Sequence, residues 1–422
     1  MPGVPTDHLW LPYMQMLGAP APLRAARTEG CRIVLDDGRE LIDSVSSWWT
    51  ACHGYNHPHI VDAMERQLRT MPHVMFGGLV HEPAERLAAR LATLLPSPLS
   101  RVFFADSGSV AVEVAMKMAV QVWLNRGEGG RTRFLSFRGG YHGDTLGAMS
   151  VTDPEEGMHA IFRGYLPQQT VCDLPRDARS LEALKATLDA HGSAIAAVIV
   201  EPLVQCAGGM RMHAPEVLRA VADAAKEAGT LLICDEIAVN FGRAGSLFAH
   251  GEAGIVPDIL CLGKALTGGA INLAATVATE DMFGAFLSEK PEAALMHGPT
   301  YMANPLACAA ANASLDLFGT EPRLAQVAAI EAQLKRDLEP LRAVPGVRDV
   351  RVKGAIGAVE VAHMRDLEGL KRRFVEAGVW LRPFGKIVYT MPPFTISADE
   401  LSAVTGAIRE IVPAWFGETQ GT

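Results

Sequence analysis

Four groups in this chain of 422 residues have the types and spacing to do chemistry together. Lys264 follows the apolar run Ile259-Leu260-Cys261-Leu262 and Gly263. A lysine at the end of a buried strand is costly unless it is used, paired, or long enough to snorkel to water. Asp235 closes a second apolar run, Leu231–Cys234. Asp106-Ser107-Gly108-Ser109 follows Arg101–Ala105 and opens an apolar helical stretch from about Val110. That arrangement aims backbone N–H groups and a positive helix end at an anion, although a simple serine N-cap explains it equally well. Tyr141, in Gly139-Gly140-Tyr141-His142-Gly143-Asp144, follows the run Arg133–Phe137 and could cover the face of a flat ring. An amine, a carboxylate, an anion cradle and an aromatic at neighbouring strand ends fit pyridoxal 5′-phosphate (PLP). That cofactor needs a lysine to condense with its aldehyde, an acid to keep its ring nitrogen protonated, and a cup for its phosphate.

These residues need a sheet to bring them together. Short apolar runs alternate with helical patterns, as at Ala194–Val200, which ends in Glu201-Pro202. Pro215 suits a first helical turn, Leu218, Val221, Ala222 and Ala225 follow at helical spacing, and Gly229 supplies the stop. The pattern predicts an α/β fold with a mostly parallel sheet covered by helices, and ligands bind such sheets outside the carboxyl ends of the strands. The first fifty residues differ, with Pro12, Pro20, Pro22 and a hairpin signal at Asp36-Asp37-Gly38. After about Ala313 the pattern changes again, to a helical stretch over Glu321–Val344 and strand-like pieces near Val347–Val361 and Lys386–Met391. We expect a large domain over residues 51–313 and a smaller α/β domain assembled from residues 1–50 and 314–422.

Composition removes several function classes. The formal charge of −9, from 38 basic and 47 acidic residues without a basic tract, leaves no footprint for nucleic acid or an anionic membrane. The longest uncharged run, Ala293–Leu315, is interrupted by Gly298, Pro299, Asn304, Pro305 and Asn312, which do not suit a lipid-facing helix. The start, MPGVPTDHLW, has no secretory pattern. Seven cysteines (31, 52, 172, 206, 234, 261 and 308) are scattered without a CxxC pair, as expected of reduced core thiols in a cytoplasmic protein. His53, His57 and His59 lie in a Gly- and Pro-marked turn with no Cys or carboxylate at ligand spacing, so no metal is expected. GxxxxGK[ST], GxGxxG and HExxH are absent.

The order Ser107-Gly108-Ser109, Tyr141-His142-Gly143, Asp235-Glu236 and Lys264-Ala265-Leu266-Thr267-Gly268-Gly269 resembles the class III aminotransferases of PLP fold type I. The resemblance runs from about Trp10 to Phe394. Ser46-Ser47-Trp48-Trp49, His53-Gly54-Tyr55-Asn56-His57-Pro58, His297-Gly298-Pro299-Thr300 and Arg382-Pro383-Phe384-Gly385-Lys386 narrow it to the biotin-pathway branch. The resemblance implies transfer of an amino group from S-adenosylmethionine to 8-amino-7-oxononanoate, giving 7,8-diaminononanoate. It implies that Lys264 attaches the cofactor and moves the proton, that Asp235 pairs with the ring nitrogen, and that Tyr141 stacks near the ring. Gly108 and Ser109 would bind the phosphate, with Pro299 and Thr300 reaching the cofactor of a neighbouring subunit in a homodimer. Tyr13, Trp48, Tyr141, Lys264, Gly298 and Arg382 would contact substrate. Arg382 has an independent rationale, since a guanidinium fork matches a carboxylate bidentately. Trp48 and Trp49 could wall an aliphatic channel, with a core role equally open for Trp49.

Two positions depart from the family pattern. Val239-Asn240 stands where Thr-Gly is expected, and a left-handed turn at Asn240 would accommodate it. Cys206 replaces an expected Gly. Both bear on the donor pocket, so a class III transaminase using lysine or an ω-amino acid is the first rival. An intramolecular amino shift or racemisation, and a non-enzymatic scaffold, are the others.

Overall fold

The computed structural model describes residues 6–419. Its centre is a seven-stranded sheet. Across it, in order, lie Leu99–Ala105, Ala274–Thr279, Ile259–Leu262, Leu231–Asp235, Ile195–Val200, Arg133–Phe137 and Thr170–Cys172. Ala274–Thr279 runs antiparallel to both its neighbours, and the other pairings are parallel, so six strands share one direction. The four strands from Ala274–Thr279 through Ile195–Val200 are buried along their whole length. Leu231 and Ile233 pack on one face beside the Gly108–Asn125 helix, while Leu232 and Cys234 pack on the other beside Leu218 and Val221 of the Pro215–Glu227 helix. Burial on both faces is why these strands read as continuous apolar runs rather than alternating ones.

The chain ends meet in smaller sheets. Arg32–Leu35 and Glu40–Asp43 form the expected hairpin, turning through Gly38 at φ +87°. Val379–Trp380 then pairs parallel with Ile42 and Asp43. A three-stranded antiparallel sheet joins Val347–Lys353, Ile356–Val361 and Ile387–Thr390. The helix expected over Glu321–Val344 is regular from Arg323 to Leu338 and then tightens into a 3₁₀ turn, Glu339–Ala343, where Pro340 removes a backbone donor. The uncharged run ends in the Pro305–Thr320 helix, which packs on Pro58–Thr70 and Glu82–Leu94. Its Asn312 donates to the carbonyls of Pro83 and Cys308. No helix among the described residues is long and apolar enough to cross a membrane.

Candidate active site

The strand ends carry a buried acid–imidazole–acid group. Asp235 is the last residue of the strand between Ile195–Val200 and Ile259–Leu262 and is 5% exposed. Its Oδ2 meets His142 Nδ1 at 2.8 Å, and its Oδ1 accepts the Ile237 N–H at 3.1 Å. Burial depresses the pKa of His142, but the hydrogen bond and charge of Asp235, with Glu201 beyond, outweigh it and raise the imidazole. Glu201 accepts the Tyr141 N–H at 2.9 Å and the Cys206 N–H at 3.0 Å. Burial pushes this carboxyl up to about 7, with His142 opposing and Asp235 reinforcing the shift.

Lys264 stands one strand over, since Asp235 registers with Cys261. Gly263 is extended, and Lys264 then enters the left-handed region at φ +46°. Its Nζ sits 4.9 Å from the centre of the Trp49 ring. It makes no hydrogen bond or ion pair with the described residues. Desolvation pushes the amine below the ordinary lysine value against the pull of Asp235. A desolvated, unengaged amine is a ready nucleophile and base.

The cradle lies across the sheet. Ser107 caps the Gly108–Asn125 helix, its Oγ accepting the Val110 N–H at 3.3 Å. A Cβ on Gly108 would lie 3.0 Å from the Ile237 side chain, and one on Gly143, at φ +131°, would collide with Ser109. The Tyr141–Asp144 loop thus closes directly onto the helix start, where Ser109 Oγ accepts the Asp144 N–H at 3.0 Å. The first-turn N–H groups of this helix have no intrahelical acceptor. A free amine, an anchored carboxylate and a close backbone cradle are the donor set PLP requires, and the site fits it.

The mouth is aromatic. Tyr13 and Tyr141 both donate to Asp144, at 2.5 and 2.8 Å. Partial burial and that bond push the Tyr13 phenol up to about 12, and the same causes raise Tyr141. Tyr13 meets Trp48 edge-on with centroids 5.7 Å apart, and the Arg382 guanidinium lies 5.1 Å over the same indole. Trp49 is buried, with Nε1 donating to the Tyr389 hydroxyl and its ring facing Lys264. Ser46, Ser47, Trp48 and Trp49 all have positive φ, from 48° to 74°. Such backbone costs roughly 1–2 kcal/mol per L-residue and persists only where the surroundings impose it.

Gly298, Pro299 and Thr300 make none of these contacts. They follow Met296 and His297, which Lys117 holds, and no hydrogen bond or ring contact among the described residues joins them to Lys264, Asp235 or Trp48. The left-handed turn expected at Asn240 falls instead on Phe241 and Gly242, at φ +47° and +90°. Asn240 keeps a negative φ and turns its side chain inward, Nδ2 donating to the Gly263 carbonyl at 3.2 Å. Cys206 is fully buried with a negative φ, so its Cβ fits. His53 bonds Ser314 and Arg323, while His57 and His59 face Glu321 and Asp316. Sequence reasoning passed over Asp43, Asp144 and the Glu201–His142 couple. Signals were present for two of them, in the His-Gly-Asp string beside Tyr141 and in Glu201 at the end of the apolar run Ala194–Val200.

Residues 13–412 match the family described as Aminotransferase class-III. The chain belongs to the class III aminotransferases. Two relatives called adenosylmethionine-8-amino-7-oxononanoate aminotransferase resemble this aminotransferase over nearly their whole length. The one from Corynebacterium glutamicum is 44% identical over 96% of this chain and 97% of its own. The one from Mycobacterium leprae is 46% identical over 96% and 94%. Among solved structures, the enzyme of that name from Methanocaldococcus jannaschii superposes with a TM-score of 0.91 at 32% identity, covering 96% of each chain. An amine transaminase from an uncultivated Pseudomonas species, in its PLP-bound form, gives 0.89 at 32% identity, covering 96% of this chain and 98% of that one. The aminotransferase thus has the α/β architecture of PLP-dependent transaminases expected from the sequence.

Proposed function

We propose that this aminotransferase moves the amino group of S-adenosylmethionine to the ketone of 8-amino-7-oxononanoate, forming 7,8-diaminononanoate for biotin synthesis. The observation that carries the reaction class is the unengaged, desolvated amine of Lys264 beside the anchored carboxylate of Asp235. The names of the full-length relatives support the substrate pair. PLP, when bound, supplies the electron sink for charge developing at the substrate carbon and carries the amino group between the two half-reactions. Lys264 attaches it and shuttles the proton at Nζ. Asp235, fixed by His142 and the Ile237 N–H, holds a proton on the ring nitrogen. Gly108 and Ser109 bind the phosphate at the helix start, and Tyr141 flanks the ring.

Tyr13, Trp48 and Arg382 form the substrate mouth, with Arg382 pairing a substrate carboxylate and Trp48 offering an apolar wall. Gly298, Pro299 and Thr300, the first and last of them exposed, serve the neighbouring site of a homodimer. The division at residues 50 and 313 is our reading of the two-ended smaller domain. Seven free thiols favour the cytoplasm. Mass spectrometry of the products from 8-amino-7-oxononanoate and S-adenosylmethionine tests the whole reading, with lysine as a parallel donor. Diaminononanoate from S-adenosylmethionine is the expected product. Its formation from lysine alone would reassign the donor, and its absence with both would reject the substrate.

A further inference from the structure

The Ser46–Trp49 turn contains no glycine, yet every residue in it is left-handed. Its own bonds wind it once, Trp49 N–H to the Val45 carbonyl at 2.7 Å and Thr50 N–H to the Ser46 carbonyl at 2.8 Å. Those bonds do not select the hand, because a right-handed turn would make the same ones. The selection comes from outside. Asp43, with no solvent exposure, ends the Glu40–Asp43 strand and turns its carboxylate into the turn. Oδ1 accepts the Val45 N–H at 2.9 Å, and Oδ2 accepts the Ser47 N–H at 2.7 Å and the Tyr55 hydroxyl at 2.6 Å. Tyr55 is itself tied to Gly30 through its backbone. On the far side, Ser46 Oγ donates to the Met391 carbonyl at 2.7 Å.

The product of this frame is the placement of two indoles. Trp48 projects between Tyr13 and Arg382, and Trp49 turns back over Lys264. We propose that Asp43 is a positioning residue, imposing the left-handed turn that presents Trp48 to substrate and Trp49 to Lys264. It acts through two backbone N–H groups and touches no reacting atom. The inference rests on the reading of Trp48 and Arg382 as substrate contacts.

The test uses the holoenzyme and steady-state kinetics with 8-amino-7-oxononanoate. Asp43→Asn keeps the size of the side chain but turns an NH2 group toward donors, leaving at least one bond unmade. The expected result is a KM raised about tenfold with a smaller change in kcat, and an unaltered absorbance of the bound cofactor. Tyr55→Phe, which removes one bond of three, should move KM in the same direction by less. Adding Ser47→Gly to Asp43→Asn should recover part of the loss, because glycine enters the left-handed region without a frame. A general loss of packing would not be rescued by a glycine. An Asp43→Asn enzyme with unchanged KM, or a double variant no better than the single one, overturns the inference. Failure of the unmodified enzyme to turn over the substrate would strike the functional reading instead.

Discussion

The floor of the site and its mouth are built from different parts of the chain and by different forces. Asp235, Glu201 and Lys264 sit at or just past the ends of neighbouring strands, the two acids tied by short hydrogen bonds and the amine governed by desolvation. Tyr13, Trp48 and Arg382 come from the two chain ends and meet through an aromatic edge and a cation–π contact, with Tyr13 and Trp48 55% and 42% exposed. A group on the floor works because its neighbours fix its charge and direction. A group at the mouth works by the surface it offers. Substitutions on the floor should therefore strike the chemical step, and those at the mouth should strike affinity.

Lys264→Ala is the most severe break on the floor. Turnover should fall by at least about 10²–10⁴-fold, the range of a positioned proton-transfer group, while circular dichroism and thermal midpoint stay near those of the unmodified protein. Borohydride treatment followed by peptide mass spectrometry should place the reduced cofactor on residue 264 of the parent enzyme and nowhere on the variant. Residual full activity would remove Lys264 from the mechanism and erase the contrast.

Arg382→Ala tests the mouth. Truncating one partner of a hydrogen-bonded charge pair costs about 2–5 kcal/mol, and the partial exposure of Arg382 points to the lower end, a KM increase of about thirtyfold. The turnover number should change far less. Arg382→Lys should restore only part of the affinity, since an ammonium lacks the planar fork. A Michaelis constant unchanged for the oxo-acid would reject the role.

The same contrast explains what was legible in the sequence. Asp235 and Lys264 could be located because buried parallel strands are continuous apolar runs, and a polar residue at the end of one stands out. The cradle was legible for the same reason, from Ser107-Gly108-Ser109 after an apolar strand. The mouth was not readable from periodicity: Trp48 and Arg382 entered through motif resemblance, with the carboxylate-matching fork of Arg382 as its one separate support. Asp43 was invisible because its role depends on Tyr55 and on backbone groups in a conformation that no L-residue signals. Asn240 shows a subtler failure. Its tolerance of positive φ was the right property to weigh, but the turn closes one residue later, and the side chain serves as a donor instead.

Asn240→Ala accordingly sharpens the definition of the floor. The amide holds the carbonyl of the residue before Lys264, so its loss should cost about 1 kcal/mol, read as about a fivefold fall in kcat/KM. The fall should lie mainly in kcat, because the backbone it releases carries the proton-transfer amine. A change confined to KM would move Asn240 from the floor to the donor pocket.

Glu201→Gln should give the smallest effect, a change of slope rather than a loss of function. Burial raises the Glu201 carboxyl from the ordinary 4.5 to about 7. Between those values the folded protein keeps a proton that the unfolded chain has released. By linkage, this contribution to stability is fully present below the unfolded value and is lost as pH rises through the folded one. His142, raised above its usual 6.5, acts with the same sign at higher pH. The thermal midpoint of the cofactor-free protein should thus fall as pH rises from 4.5 to about 7 through Glu201, and continue to fall above 6.5 through His142. A glutamine cannot titrate, so Glu201→Gln should flatten the lower part of that fall and leave the His142 part in place. If the variant keeps the full slope, the titration belongs to His142, and Glu201 belongs to the loop beneath the floor rather than to its electrostatics.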